Sequence, residues 1–296
     1  VMRYSLRQLE VFLATARYEN VTRAAETLAM SQSAASGSLK ELERQFDMKL
    51  FDRLGKRLQL SELGQQLRPQ VESLLEQARS LEQALTGEDV VGRLEIGATL
   101  TIGNYIAVNM IADFRQQNAR SDIILRVANT ETIAKQVAGF ELDMGLIEGE
   151  LQHPDLDIVH WRRDELVVFA APNHPLSTST ALSDQDLLTL PWIVREPGSG
   201  TRQAFDRAMQ GILTDLHIGM ELQHTEGIKR AVEAGLGVGC LSQICVAEAF
   251  KRGSLVPLKV PGRDFRREWY LITHRDKFHS AALKRWLTLC LERWSV

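Results

Sequence analysis

The chain has 296 residues, of which 44% are hydrophobic and 25% charged, and its formal net charge is -3. These proportions are typical of soluble globular proteins, and the length suits two or three compact units. No run approaches the ~18 apolar residues of a membrane-spanning helix, and the N-terminus lacks the apolar core of a signal peptide. The composition excludes a membrane-spanning protein, so no membrane partner is expected, and it favours a cytoplasmic one.

Three cysteines leave one unpaired in any disulfide scheme, which fits a reducing compartment. Cys240 and Cys245 could form a redox-sensing pair, or they could be small buried residues together with Cys290. The seven histidines show no metal-ligand spacing, so neither a metal nor a cofactor is expected.

Charge is unevenly distributed along the chain. Residues 1–60 carry ten basic and seven acidic side chains, a net charge of +3, so the remaining residues carry -6. A basic end on an acidic chain suggests a nucleic-acid-binding module, although this excess is weak evidence alone.

Three short helices are predicted in the first fifty residues. Apolar spacing from Leu6 predicts the first, and Thr22 and Ser31 are the candidate N-caps of the second and third. Only a tight turn fits between the last two, which is the helix-turn-helix arrangement. Its polar side chains could reach a DNA major groove: Thr22, Arg23, Ser31, Gln32, Ser33, Ser36 and Lys40. The alternative is a helical hairpin with a solvated polar face.

The segment "LFDRLGKRLQL" predicts two short strands around a turn at Gly55. Arg53, Lys56 and Arg57 would then lie on a wing beside the helices, where cations suit contact with DNA phosphates.

One helix is predicted over residues 61–86. Its apolar residues follow a 4, 3, 4, 3, 4 spacing, the seam of a coiled coil: Leu67, Val71, Leu74, Ala78, Leu81 and Leu85. A helix that packs on its own chain is the alternative. The polar stretch 87–91 is predicted to be a hinge.

Beyond residue 92, strands alternate with helices, including one predicted from Ile102 to Arg115 and one from Gln203. This pattern indicates an α/β fold with largely parallel sheets, and two such halves would place a ligand crevice at the carboxyl ends of their strands. The strand ends supply the candidate ligand-binding residues: Thr99, Thr101, Asn129, Thr130, Glu148, Ser199, Gly200, Thr201, Arg202 and Thr225.

These ten residues come from five strand ends, and at four of the five a hydroxyl lies at the start of a predicted helix. Converging N–H groups and hydroxyls suit a small anion, with Arg202 as the counter-charge. A single Ser or Thr at such a place is more often only a helix cap, so the recurrence carries the prediction.

The motifs "LRQLEVF", "TRAAETL", "SQSAAS", "LFDR" and "LQLSELG" resemble the N-terminal domain of LysR-type transcriptional regulators, and "HPL" at 174–176 extends the resemblance to the C-terminal part. The resemblance implies a winged helix-turn-helix at 2–60, a dimerisation helix at 61–86 and an effector-binding domain at 92–296. That domain would have two lobes of the periplasmic-binding-protein type, lobe I at about 92–164 plus 267–296 and lobe II at about 165–266.

The same resemblance implies the partners. These are double-stranded DNA, a second copy of the chain in a homodimer or dimer of dimers, a small-molecule effector, and RNA polymerase as a further candidate. "REPGSGTR" and "TLTIGNY" resemble the branch that includes sulfur-oxyanion-responsive regulators, which implies sulfite, sulfate or a similar anion. Gly37 and Ser38 depart from the family, because many members carry a base-reading residue there.

Two rival functions fit the sequence less well than a DNA-binding regulator. A nucleotide-dependent enzyme is disfavoured because "GSGTR" lacks the lysine and spacing of a P-loop, and "GLGVGCL" has Cys240 where a dinucleotide fingerprint needs glycine. No nucleophile motif is present either, so no catalytic residues are expected. A periplasmic solute-binding protein would fit the C-terminal two thirds but not the helix-turn-helix.

Overall fold

The computed structural model describes residues 2–54, 57–86 and 92–295, and the chain divides into two compact units. The head unit holds Val1–Gly92 and Arg275–Ala282, and the regulatory unit holds Arg93–His274 and Leu283–Val296. Arg275–Ala282 thus group with the head unit, and the assignment of 267–296 to lobe I stays a prediction. The predicted hinge at 87–91 and the wing residue Lys56 lie outside the described residues.

The head unit begins with three helices and a two-stranded wing. Their bounds are α1 Leu6–Tyr18, α2 Val21–Thr27, α3 Gln32–Phe46, β1 Phe51–Leu54 and β2 Arg57–Leu60, and the two strands pair antiparallel. Asn20, not Thr22, caps α2, because its side chain accepts the N–H groups of Thr22 and Arg23 at 2.8 and 3.1 Å. Asparagine is a stronger N-cap than threonine, so the helix starts earlier than predicted.

Apolar side chains from α1 and α3 form the core of the head. Ala35, Leu39 and Leu42 are buried on α3 and pack with Phe12, whose ring meets that of Phe51 edge-on at 5.6 Å between centroids. This core fixes which face of α3 is turned outward.

The predicted coiled-coil seam lies on helix α4, Glu62–Thr86, and its residues have two different surroundings. Leu67 and Val71 pack against the head core, as does Leu75, which the seam did not include. Further along, Leu81 and Leu85 are 62% and 78% exposed. The first part of the helix therefore packs on its own chain. The sequence could not show this, because heptad spacing does not distinguish a partner in the same chain from one in another.

The regulatory unit alternates strands and helices. Its first half contains β3 Leu94–Ala98, α5 Leu100–Ile102, a π-helical turn Gly103–Ala107, α6 Val108–Gln117, β4 Ile123–Val127, α7 Thr130–Ala138 and β5 Met144–Glu148. Its second half contains β6 Leu156–Ala170, α8 Asp184–Thr189, β7 Trp192–Arg195, α9 Gly200–Ala208, β8 Ile218–Leu222, α10 Thr225–Glu233, β9 Val238–Ser242, α11 Gln243–Arg252, β10 Val256–Leu258, β11 Arg266–His274 and α12 Ala281–Arg293. Short 3₁₀ turns lie at Pro175–Thr178 and Leu213–Asp215.

One continuous sheet runs through both lobes, in the order β4-β3-β5-β11-β6-β9-β7-β8, with β10 paired to β6. Strand β6 pairs with β11 as far as Glu165 and with β9 from Leu166. The pairs within each lobe, β3–β4, β3–β5, β7–β8 and β7–β9, are parallel. Because β6 and β11 pair antiparallel with their neighbours, the expected largely parallel sheet is mixed where the lobes join.

Two helix starts differ from the sequence expectation. Helix α5 begins at Leu100, and α5, the π-helical turn and α6 form one continuous helical segment from 100 to 117, since Gly103 and Val108 at the junctions keep right-handed helical backbone angles. Helix α9 begins at Gly200 because Ser199 caps it by accepting the N–H of Thr201 at 3.2 Å. Both starts bring a helix N-terminus closer to the strand before it.

Candidate functional site

The carboxylate of Glu148 lies at the carboxyl end of β5, where the two lobes meet, and is 1% exposed. Its Oε1 accepts the backbone N–H groups of Thr101 and Ile102 at 2.8 and 3.2 Å, at the start of the 100–117 helical segment. Its Oε2 accepts Nη1 of Arg267 at 2.7 Å and the hydroxyl of Thr201 at 3.4 Å. We call these four donors the carboxylate cradle.

Arg267 is the positive centre of this site, and its side chain is fully buried. Besides Glu148, its guanidinium contacts Asp164 at 2.6 Å and donates to the hydroxyls of Thr201 and Thr101 at 2.9 and 3.2 Å. Since Thr101 belongs to the first lobe and Thr201 to the second, one side chain holds groups from both lobes together.

Electrostatics keep Glu148 ionised despite its burial. Burial raises the pKa of its carboxyl, but Arg267 and the hydrogen bond from Thr101 outweigh burial, so the pKa lies below the usual 4.5. For Arg267, burial lowers the pKa and the facing carboxylates of Glu148 and Asp164 raise it, and the net pKa is above its usual value. The ion pair is therefore charged across the physiological pH range.

Three more of the predicted residues, Thr130, Ser199 and Gly200, lie at the backbone of Glu148, and a fourth, Thr99, lies just before α5. The hydroxyl of Thr130 donates to the carbonyl of Glu148 at 2.8 Å. Gly200 approaches the same carbonyl so closely that a Cβ would lie 1.9 Å from its oxygen, which explains why glycine stands there. Ser199 is buried beside it as the cap of α9, and Thr99 is buried before α5 with its backbone N–H on the carbonyl of Leu146 at 3.0 Å.

Asn129 and Arg202 pair with carboxylates other than that of Glu148. Asn129 caps α7 and donates across the crevice to Glu196 at 3.1 Å. The guanidinium of Arg202 donates to Asp206 at 2.8 Å and to Glu221 at 3.1 Å. The buried positive charge at Glu148 is that of Arg267, and the role of Arg202 as counter-charge to an effector stays a prediction.

Thr225 begins α10 and is 2% exposed, and its hydroxyl has no hydrogen-bond partner among the described residues. Its helix contributes Lys229, whose Nζ contacts Glu226 at 2.5 Å and the hydroxyl of Tyr105 at 3.4 Å. Tyr105 belongs to the first lobe, so these contacts form a second bridge across the crevice.

An open cavity of about 650 Å³ lies between α7 and α9, on the side of the Glu148 backbone. Thr130, Ser199 and Gly200 line it and also contact or flank Glu148. Charged and ionisable side chains complete its wall: Glu131, Lys135, Glu150, His153, Arg202 and Asp206. The cavity provides space for a ligand next to the backbone of Glu148.

Sequence reasoning missed Arg267 and Asp164. A signal for Arg267 was present, because Phe265, Arg267, Trp269 and Leu271 alternate along one strand and a strand places alternate residues on one face. An arginine among buried apolar residues must have carboxylate partners. No comparable sequence signal marks Asp164.

Within residues 2–54, 57–86 and 92–295, no group of His, Cys, Asp and Glu is arranged to hold a metal ion. Cys240, Cys245 and Cys290 are free and buried, and burial raises the pKa of the Cys245 thiol to about 12. Buried neutral thiols are unreactive, which favours their interpretation as core residues.

The predicted DNA-contacting residues lie on the outer side of the head unit. Thr22, Arg23, Gln32, Ser33 and Lys40 are exposed, as are the cap residue Ser31 and the wing cations Arg53 and Arg57, and Ser36 is half-buried. A groove of about 290 Å³ between the start of α2 and the wing is lined by Thr22, Arg53 and Arg57. The start of α2 and the wing thus present polar and cationic groups to one groove.

Family comparisons agree with both units. The profile described as the LysR substrate binding domain matches residues 87–295, and the profile described as the bacterial regulatory helix-turn-helix protein of the lysR family matches residues 6–65. The chain belongs to the LysR family of transcriptional regulators. This LysR-type regulator is 41% identical to the HTH-type transcriptional regulator YeiE of Escherichia coli K12 over 289 residues, 98% of each chain.

Solved structures show the same fold. A full-length OxyR variant from Pseudomonas aeruginosa superposes with a TM-score of 0.74 at 19% identity, covering 99% of this chain and 95% of that one. The CcmR regulatory domain of Synechocystis PCC6803, in complex with 2-PG, gives a TM-score of 0.63 at 27% identity and covers 68% of this chain and 96% of that one. The relatives are named as regulators rather than enzymes, which supports the regulator over both rival functions. No helix among the described residues is long and apolar enough to cross a membrane.

Proposed function

We propose that this LysR-type regulator reads operator DNA with the outer face of α3, anchors on phosphates through Arg53 and Arg57, and responds to a small anion bound between its two lobes. The carboxylate cradle carries the effector part of the proposal. Two helix N–H groups, one hydroxyl and one buried guanidinium converge on an anionic group, which is the donor set that a carboxylate or oxyanion requires.

The open cavity beside the Glu148 backbone supports the same proposal. Its volume of about 650 Å³ suits a small organic anion, which would lie along α7 and α9 and contact Ser199 and Gly200 at the cavity wall. The regulatory domain of CcmR is described in complex with 2-PG, and that domain shares this fold.

Binding to a panel of anions tests the proposal. Sodium salts of sulfate, sulfite, phosphate and short carboxylates, compared with chloride at equal ionic strength, should raise the melting temperature of the chain and change its affinity for operator DNA. Thr201→Val, which removes one cradle hydroxyl, should weaken the response at least fivefold, since a hydrogen bond to a charged group contributes about 1.5–3 kcal/mol. Thr132→Val, at an exposed position on α7, is the control. If only cationic or apolar compounds act, the proposal is wrong.

We also propose a homodimer, or a dimer of dimers, formed through the second part of α4. Leu81 and Leu85 are exposed in the single chain, and exposed leucines at heptad spacing favour a helical partner. Sedimentation of Leu81→Glu/Leu85→Glu should give a monomer, whereas Gln70→Glu, at an exposed position outside the seam, should sediment as the wild type does. A monomeric wild type at micromolar concentration would contradict the proposal.

Two further parts of the proposal follow from the regulatory role alone. The chain would act in the cytoplasm, where bacterial DNA lies, and RNA polymerase would be its partner at the promoter. Co-purification of polymerase with the promoter-bound regulator, but not with free regulator and DNA lacking a promoter, tests the second part.

A further inference from the structure

The carboxylate of Glu148 has every acceptor position filled. Its two oxygens receive four donors, two on each oxygen, at distances of 2.7 to 3.4 Å. A carboxylate offers about four lone-pair sites in total. Glu148 therefore has no free lone pair with which to hold a ligand. Its carboxylate instead occupies the position that a bound anion would take.

We propose that Glu148 is a resident anion of the carboxylate cradle, and that the effector acts by displacing it with a carboxylate or an oxyanion of similar size. The inference rests on the proposed function, in which the effector is an anion, and adds how that anion gains access. Arg267 already faces two buried carboxylates, those of Glu148 and Asp164, so an external anion bound beside them would add a third negative charge to a site where like charges repel strongly.

Charge balance restricts the chemistry of the displacing group. Arg267 also faces Asp164 at 2.6 Å, so the buried cluster of Glu148, Asp164 and Arg267 already carries one excess negative charge. Exchange of Glu148 for another monoanion leaves that balance unchanged, whereas a dianion such as sulfate adds one negative charge, so acetate should show the larger gain. A neutral ligand would leave the two helix N–H groups and the guanidinium without their charged acceptor, at a large desolvation cost.

The open cavity lies next to the backbone of Glu148. Thr130, Ser199 and Gly200 contact or flank that backbone and line the cavity, whereas the residues of the carboxylate cradle are not among its lining, so the displaced side chain has to turn about its own backbone to reach solvent. The next residue, Gly149, has φ +85°, a left-handed conformation that only glycine adopts readily. The chain can therefore change direction immediately after Glu148.

Displacement would also change how the lobes contact each other. Glu148 lies on the first lobe, and its carboxylate and carbonyl contact Thr201 and Gly200 at the start of α9 in the second. Gln203 on the same helix exchanges two hydrogen bonds with the backbone of Glu150 at 2.8 and 3.0 Å. An anion that binds the vacated cradle more tightly than the filled one shifts the regulator between two lobe arrangements.

A quantitative consequence follows for affinity. When a site is open only part of the time, the apparent affinity falls by the fraction that is open. Removal of the Glu148 carboxylate should therefore strengthen the binding of small anions, whereas removal of an ordinary acidic contact would not.

The experiment measures binding of acetate and sulfate to full-length wild type, Glu148→Ala and Glu148→Gln by calorimetry and thermal shift, with chloride at equal ionic strength as reference. Glu148→Ala should bind acetate saturably, at least tenfold more tightly than wild type, and its melting temperature should rise with acetate toward the wild-type value. Glu148→Gln keeps the shape of the side chain and covers the case in which the alanine variant fails to fold; it should bind sulfate at least threefold more tightly than wild type.

Glu248→Ala and Glu248→Gln are the matched controls. Glu248 is a glutamate on α11 whose side chain is 73% exposed and is not among the residues that line the cavity, so these changes alter net charge equally without opening the cradle. They should bind both anions as the wild type does. Equal gains in the Glu248 and Glu148 variants would overturn the inference, as would folded Glu148 variants without any gain.

The outcome separates this inference from the proposed function. If anions of the panel act on the wild type but Glu148 substitutions give no gain, the inference fails and the proposed effector class stands. If no anion binds the wild type or either Glu148 variant, both fail.

Discussion

The head unit and the regulatory unit place their functional residues in opposite environments. In the head, an apolar core built around Phe12 and Leu39 lies inside, and polar residues such as Gln32 and Arg57 lie outside, free to meet DNA. In the regulatory unit, Glu148 and Arg267 are nearly or fully buried and already neutralise each other.

The contrast shows two ways of holding charge ready for a ligand. An exposed cation is solvated and contributes little to folding, so substitution changes binding alone. A buried ion pair is coupled to the fold, so the same kind of substitution changes stability, and a ligand that enters must replace one of the partners. Four predictions test this difference.

The largest effect is expected at Arg267. Arg267→Ala leaves Glu148 and Asp164 buried without a counter-charge, which should lower the free energy of unfolding by about 3–5 kcal/mol. Arg266→Ala is the control, because the neighbouring side chain is 76% exposed and paired only at the surface; its cost should stay below about 1 kcal/mol. Urea unfolding followed by circular dichroism measures both, and equal losses would contradict the buried-charge account.

In the head, substitution of exposed polar and cationic side chains should change DNA binding and leave stability unaltered. Gln32→Ala should weaken binding to an operator selected from random DNA by about 1–3 kcal/mol and leave binding to random DNA unchanged. Arg57→Ala should weaken both and reduce the salt slope by about 0.9, the value for one phosphate contact. Fluorescence anisotropy at several salt concentrations measures these affinities. If Gln32→Ala lost equal affinity for both DNAs, Gln32 would not be a base-reading residue.

Acid should destabilise the regulatory unit through Glu148. Its pKa lies below the usual 4.5 in the folded chain, so its stabilising contribution is complete above about pH 4.5 and is lost as the pH falls through the folded value. Each pKa unit of difference is worth about 1.4 kcal/mol. Glu148→Gln should therefore show a flatter decline of unfolding free energy between about pH 5 and about pH 3.5 than wild type or Glu150→Gln. A decline as steep as that of the wild type would exclude Glu148 as its source.

The smallest effect is expected on the exposed face of α3. Gly37 has no atom within 4 Å of where a Cβ would stand, so Gly37→Ala should stabilise the chain by about 0.5–1 kcal/mol through helix propensity. Gly64→Ala is the contrast, because its Cβ would lie 2.3 Å from the carbonyl oxygen of Leu50, and it should destabilise. Thermal unfolding compares the two variants. A destabilising Gly37→Ala would show that the alanine disturbs the helix.

Sequence predictions were most accurate where structure is local. Helix α3 begins after its predicted cap, Ser31, because capping and apolar spacing act within one stretch of chain. The start of α2 was misplaced because Asn20 and Thr22 are both good caps. The seam of α4 was only partly informative, since Leu67 and Leu81 share one heptad pattern and have different surroundings.

By itself, the sequence determined the family, the two-unit organisation and the edge of the sheet at which the predicted ligand residues gather, because motifs and hydrophobic periodicity are encoded locally. Only the tertiary structure decided what that edge contains. Thr101, Glu148, Thr201 and Arg267 are far apart in the chain, and no short-range pattern encodes that a glutamate fills the place expected for an external anion. Long-range strand pairing between β6 and β11 brings Arg267 to that place, where its buried charge requires a carboxylate and pairs with that of Glu148.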